Sequence, residues 1–231
     1  PNVKRNALEE YKLNHITDSI FFDIDKNSNQ NSNLPHMLPS AKEWEKIISN
    51  LGISNSDHVI VYDNSDVFSS CRVWYTFLYF GHNPELISVL DGNFKKWKNE
   101  KRSTSQKIKK INKSNYTANE NLLLVLSKDQ INRNIINKKF QLIDARGEQR
   151  FLGLQPEPRK ELKSGNIKGS KNLPFQELIN IKEDRTFKKK EELINIFKER
   201  QIFIDQEMVF TCGSGVTACI LGLANSIISG K

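Results

Sequence analysis

Short β-branched runs alternating with amphipathic stretches predict an α/β protein, and a similar order of elements in each half predicts two tandem domains, each a parallel sheet flanked by helices. Two further observations support this reading. The halves repeat one another in local sequence, and a polar stretch separates them.

The elements follow in order. Residues 40–52 read as a capped helix: Ser40 can accept from the first-turn amides, with Glu43 as its capping-box partner. Trp44, Ile47, Ile48 and Leu51 share one face, and Gly52 sits where a C-terminal cap belongs. The run Val-Ile-Val-Tyr-Asp at 59–63 is a buried strand, 68–80 a helix, and 87–91 a strand that stops at Gly92. Residues 99–121, rich in Lys, Asn, Ser and Thr, lack apolar periodicity and read as a linker. Beyond them come a strand at 141–145, a helix at 189–200 with Leu193, Ile194 and Phe197 apolar, a strand at 208–211 and a helix at 216–228. The expected division is a domain of 1–100, a linker of 101–121 and a domain of 122–231.

The repeat is specific. His15-Ile-Thr-Asp-Ser19 matches Asn166-Ile-Lys-Gly-Ser170, and Val61-Tyr-Asp63-Asn-Ser matches Phe210-Thr-Cys212-Gly-Ser, each followed by a helix. The spacing between the paired segments is nearly equal in both halves. Asp63 therefore stands where the second half has Cys212, and a single half holds a nucleophile.

Composition narrows the function. The 35 Lys and Arg against 27 Asp and Glu give a net charge of +8. The lysines are scattered, and base-stacking motifs are absent, so the charge reads as a solvated surface and not as a nucleic-acid site. No apolar run reaches the ~20 residues of a membrane helix. The 3 cysteines, an odd count without Cys-x-x-Cys, argue against a disulfide framework or zinc cluster and fit a reducing compartment, with the cytoplasm expected.

Cys212 ends an apolar strand, lies in Cys212-Gly213-Ser214-Gly215-Val216-Thr217 and precedes a helix. Gly213 and Gly215 allow a tight curl that aims amide N–H groups at the sulfur, and the helix N-terminus adds positive partial charge. Both favour a nucleophilic thiolate and would equally hold a persulfide anion. A cysteine ending a buried strand is often only a small core residue, but packing does not explain two flanking glycines. Cys71 and Cys219 lie in helical, apolar contexts and read as core.

The loop Cys-Gly-Ser-Gly-Val-Thr resembles the active loop of 3-mercaptopyruvate sulfurtransferases, within the rhodanese superfamily. The resemblance extends through Asp144-Ala-Arg146, Arg150-Phe-x-Gly153, Pro156-Glu-Pro-Arg159 and Asn172-Leu-Pro-Phe175. In the first half it takes in Phe22-Asp-Ile-Asp25, His36-Met-Leu-Pro39, Tyr62-Asp63, Arg72-Val-Trp74, Phe80-Gly-His82 and Leu90-Asp-Gly92. The chain departs from the pattern at His15-Ile-Thr-Asp18, where the family has His-Ile-Pro-Gly, and at Gly165-Asn166-Ile-Lys-Gly169, where it has Gly-His-Ile-Pro-Gly. These are turns, so adjusted loops are expected. The family's opening strand does not precede Pro1, and its Asp-Gly-Ser-Trp segment and final helix do not follow Lys231. The chain accordingly reads as a fragment of a longer one, with sheet edges exposed.

The resemblance implies a site between the domains. Cys212 would carry sulfur, and Gly213, Gly215, Val216 and Thr217 would form its cradle. Arg150 and Arg159 would grip the carboxylate and carbonyl of mercaptopyruvate. Ser214, with His36 and Asp25 from the first half, would supply a proton to the departing enolate. No metal or organic cofactor is implied; the donor is a small molecule, and the acceptor is cyanide or a thiol such as thioredoxin. The neutral loop points to mercaptopyruvate over thiosulfate, whose specialists carry basic residues there. A cysteine phosphatase is disfavoured because position 218 is Ala where phosphate binding needs Arg. A thiosulfate-preferring transferase and a non-catalytic sulfur-carrier module stay as alternatives.

Overall fold

The computed structural model describes residues 5–159 and 162–230. The chain divides into two compact units: residues up to 65 with 73–124, and residues 66–72 with 125 onward.

The first unit opens with α1 (Ala7–Leu13), where the Asn6 side chain accepts from the amides of Leu8 and Glu9. It continues through β1 (His15–Ile16), α2 (Ala41–Asn50), β2 (Val59–Val61), α3 (Ser69–Tyr79), β3 (Ile87–Val89), α4 (Asn93–Asn99) and β4 (Thr104–Ser105). Among these, α3 is shared, since residues 69–72 group with the second unit. β2 and β3 pair in parallel, and β1 and β4 antiparallel. The expected capping box of α2 forms: Ser40 accepts from the Glu43 amide while the Glu43 side chain accepts from Ser40 N–H. Such caps contribute about 1 kcal/mol. Gly52 follows at φ +69, the left-handed residue that ends the helix. The apolar face of α2 buries Trp44 and Ile48, with Trp44 stacked on Phe80 at 5.0 Å and edge-on to Phe77 at 5.1 Å.

Residues 101–121 are not a free linker. Tyr116 is 5% exposed. Its hydroxyl lies 3.2 Å from His82 Nδ1. The amides of Asn119 and Asn121 donate to the carbonyls of Phe80 and Tyr79 at 3.0 and 2.7 Å. Gly52 and Gly81 let this strap pass: a Cβ would stand 2.5 Å from Asn112 O and 2.8 Å from Asn119 O respectively. The polar composition hid one buried aromatic and a series of backbone bonds, which suffice to bind an extended segment without apolar periodicity.

In the second unit come α5 (Lys128–Asn137), β5 (Gln141–Asp144), α6 (Glu148–Phe151), β6 (Lys171–Asn172), α7 (Lys190–Glu199), β7 (Met208–Thr211) and α8 (Ala218–Ser229). Its parallel sheet has the order β6-β5-β7. Central β5 is buried from Leu142 to Asp144, as a strand covered on both faces should be. Around it Leu173, Leu178, Leu193, Phe197, Ile220 and Leu221 are wholly buried. α1, α4, α5 and the two-residue strands β1, β4 and β6 carried too few periodic residues to be read from sequence.

The repeat is visible in three dimensions. Ser19 N–H donates to Ile16 O at 3.0 Å, and Ser170 N–H to Ile167 O at 3.0 Å. The third position of each turn is left-handed: Asp18 at φ +62, Gly169 at φ +84. The departure from the family's glycine at position 18 thus keeps the turn, with Asp tolerating a conformation that glycine adopts freely.

Candidate active site

β7 delivers Cys212 to the end of the sheet, directly after Thr211, whose carbonyl accepts the Ala145 amide at 2.8 Å. The chain then bends and enters α8 at Thr217. Gly215, at φ +73, turns its N–H back onto Cys212 Sγ at 3.1 Å. Cys212 is half-buried, whereas Cys71 and Cys219 are buried. Val216 is buried, and its carbonyl accepts the Cys219 amide at 3.2 Å, while Thr217 O accepts the Ile220 amide at 3.1 Å.

Two expectations about the loop change. Of the two glycines, Gly215 alone adopts a left-handed φ. Gly213 serves a different purpose: a Cβ there would lie 3.1 Å from Arg150 Nη2, so its bareness eases the approach of that guanidinium, with Arg159 Nη2 at an ordinary 3.6 Å. Of the amides expected to cradle the sulfur, that of Gly215 donates to it, while those of Cys219 and Ile220 donate to Val216 O and Thr217 O inside the first turn of α8.

The arginines are held by buried acids. Asp144, at the end of β5, takes Arg146 with both oxygens, through Nε at 3.0 Å and Nη2 at 2.7 Å. Arg146 Nη1 reaches Glu157 at 2.8 Å. Glu157, with its side chain 2% exposed, also takes Arg150 through Nε at 3.1 Å and Nη2 at 2.5 Å. The hydrogen bond from Arg150, outweighing burial, holds the Glu157 carboxyl below its usual range. Arg159 Nη2 donates to Gly213 O at 2.5 Å. Arg150 and Arg159 therefore converge on the loop that carries Cys212.

The sequence assigns Arg72 no role of its own, yet its Nη1 donates to Gly215 O at 3.2 Å. A signal was available: it is the lone charge in the otherwise neutral helix SSCRVWYTFLY, and a charge in such a helix requires an acceptor.

His36 and Asp25 do meet, in the first unit. His36 Nε2 lies 2.8 Å from Asp25 Oδ1. His36 has φ +58, and the adjoining turn is closed by the Asn29 amide on Met37 O at 2.8 Å. Ser214 belongs to the second unit. The first half also keeps a relic of the loop's frame. After Asp63, the counterpart of Cys212, the carbonyl of Asn64 accepts from Arg5 Nη2 at 3.0 Å, as that of Gly213 accepts from Arg159.

A duplicated parallel α/β fold that presents a glycine-hooked thiol in one copy, and an aspartate at the matching place in the other, defines a protein built to carry a group on cysteine. The rhodanese-like domain family matches residues 5–100 and 127–227, and the chain belongs to that family. It is 38% identical over 221 residues to the 3-mercaptopyruvate sulfurtransferase of Mus musculus, covering 95% of this chain and 73% of that protein. It is 39% identical over 223 residues to the thiosulfate sulfurtransferase of the same species, covering 95% of this chain and 74% of that protein. Among solved structures, SseA of Escherichia coli, a 3-mercaptopyruvate sulfotransferase with the rhodanese fold, matches at TM-score 0.89 and 31% identity, over 99% of this chain and 84% of that one.

Proposed function

We propose that the chain is a sulfurtransferase that moves sulfur from 3-mercaptopyruvate to an acceptor through a persulfide on Cys212. Thiolate Sγ attacks the thiol sulfur of the donor, the donor's C–S bond breaks with its electron pair going to carbon, and the resulting enolate takes a proton to leave as pyruvate. The enzyme keeps the sulfur as Cys–S–SH. Cyanide, a small thiol or thioredoxin then attacks the outer sulfur and restores the thiolate, which is ping-pong kinetics. The observation that carries the reading is the loop itself: the sulfur of half-buried Cys212 receives Gly215 N–H at 3.1 Å, among neutral loop side chains, with Arg150 and Arg159 at Gly213.

Arg150 and Arg159 take the roles of clamps for the donor's carboxylate and ketone, since planar guanidinium suits both. His36, oriented by Asp25, passes the proton through the Ser214 hydroxyl. The Asp25–His36 pair supports the orientation of the imidazole in this reading.

Incubation with 3-mercaptopyruvate should add one sulfur, about 32 Da, to Cys212 and release one pyruvate, both lost in Cys212→Ser. A folded sample that gains no mass would make the chain a non-catalytic module. Thiosulfate is the second reading, and a specific observation favours it: Arg72 brings a third guanidinium to the loop, at Gly215 O. Comparing kcat/KM for the two donors decides between them, and a clear preference for thiosulfate would overturn the donor assignment.

A further inference from the structure

We propose that Arg72 and Cys219 are positioning residues for the sulfur loop: together they hold the Gly215 carbonyl and thereby keep the Gly215 N–H on the Cys212 sulfur. The inference rests on the persulfide reading of Cys212 and concerns two side chains which that reading does not use.

Gly215 is held at both ends. Its N–H donates to Cys212 Sγ at 3.1 Å. Its carbonyl accepts from Arg72 Nη1 at 3.2 Å and from the Cys219 thiol at 3.1 Å. Amide and carbonyl of one residue are linked through φ and ψ, so two donors on the carbonyl restrict where the N–H can point. Without them a glycine has the widest conformational range of any residue. The guanidinium also packs on the glycine itself, since a Cβ at 215 would stand 2.7 Å from Arg72 Nη1.

Both donors are built to persist. Burial pushes the Cys219 thiol up to about 12, so it keeps the proton it donates. The segment that brings Arg72 is anchored in the same unit as Cys212. Phe68 is 1% exposed, and the Arg185 guanidinium lies 4.9 Å over its ring. Arg185 Nη1 reaches Asp66 at 3.0 Å. The clamp matters to the reaction because Gly215 N–H faces the sulfur on which negative charge sits before the donor is attacked, and an aligned amide contributes there without reorganising.

The test uses the whole chain and two readouts: single-turnover persulfidation by 3-mercaptopyruvate, and the rate at which iodoacetamide alkylates Cys212 at fixed neutral pH. The second needs no donor, and the buried Cys71 and Cys219 are shielded from it. Arg72→Met and Cys219→Ala should each slow persulfidation about tenfold with KM within about twofold, and slow alkylation in parallel. Arg72→Lys and Cys219→Ser retain a donor and should recover most of the loss. The double variant should lose less than the product of the singles, because the donors share one acceptor. Rates within about twofold of wild type in Arg72→Met and Cys219→Ala, or no recovery in Lys and Ser, would overturn the clamp. If Arg72→Met does not fold, the Cys219 pair decides. If the wild type takes no sulfur from mercaptopyruvate, the persulfide reading fails, and the alkylation series still judges the clamp.

Discussion

Glu157 grips Arg150 with both carboxylate oxygens, at 3.1 Å to Nε and 2.5 Å to Nη2. A buried acid thus aims the guanidinium proposed to receive the donor's carboxylate. Arg150→Gly should raise KM for mercaptopyruvate about tenfold to a hundredfold, the worth of a charged hydrogen-bonded pair. Glu157→Gln keeps the arginine but loosens its aim, and should raise KM by a smaller factor. Steady-state kinetics with the two variants checks the order, and an unchanged KM in Arg150→Gly would remove that residue from the donor site.

Glu157 also sets an acid limit. Its folded pKa is depressed by the Arg150 hydrogen bond, so its contribution to stability is complete above the ordinary carboxylate range and is lost as pH falls through the folded value. Urea unfolding between neutral pH and pH about 3 should show a loss that is shallower in Glu157→Gln.

Cys219 sets an alkaline limit. Its pKa is raised from 9.0 to about 12 by burial, so the stability linked to its neutral form is whole below the unfolded value and declines as pH rises between the two. At pH about 10.5 the decline attributable to this thiol is about 2 kcal/mol. Urea unfolding of wild type and Cys219→Ala at neutral and at that higher pH should show the gap between them closing. A constant gap would mean that the thiol does not titrate on unfolding.

Gly215→Ala tests the hook at the glycine itself. The left-handed φ costs an L-residue about 1–2 kcal/mol, and the new methyl collides with Arg72 Nη1. Persulfidation should fall at least about tenfold, as expected when one pre-aligned amide is displaced. Mass spectrometry under single-turnover conditions reads this directly.

His36→Gln should slow pyruvate release by about a hundredfold or more if His36 handles the enolate's proton, and Asp25→Asn should slow it less. Alkylation of Cys212 should be unaffected in both. Slower alkylation would show these residues acting on the sulfur instead.

Much of this was legible in the sequence because it lies in local patterns. The Ser40–Glu43 box, the apolar face bearing Trp44 and Ile48, and the cysteine loop each fall within a few residues of one another. The pairing of Asp25 with His36, and the convergence of Arg150 and Arg159 on one loop, came through the resemblance, since spacing along a polar loop does not specify contact. Three things were hidden for physical reasons. The strap at 101–121 is held by backbone bonds, which leave no side-chain pattern. Gly213 looked like a turn residue and is a clearance for arginine. Arg72 is separated by well over a hundred residues from the glycine it holds, and long-range polar contacts leave no periodicity.

The segment after Asp63 has one more consequence. Aligned position by position, Asp66 falls where the second half has Gly215, yet Asp66 is tied to Arg185 and belongs with the unit that holds Cys212. The stretch that would have curled over a nucleophile in the first half instead carries a brace to the nucleophile of the second. Installing a thiol by Asp63→Cys would leave each chain with a single sulfur-carrying position, because the strip that could cradle the new thiol is already in use.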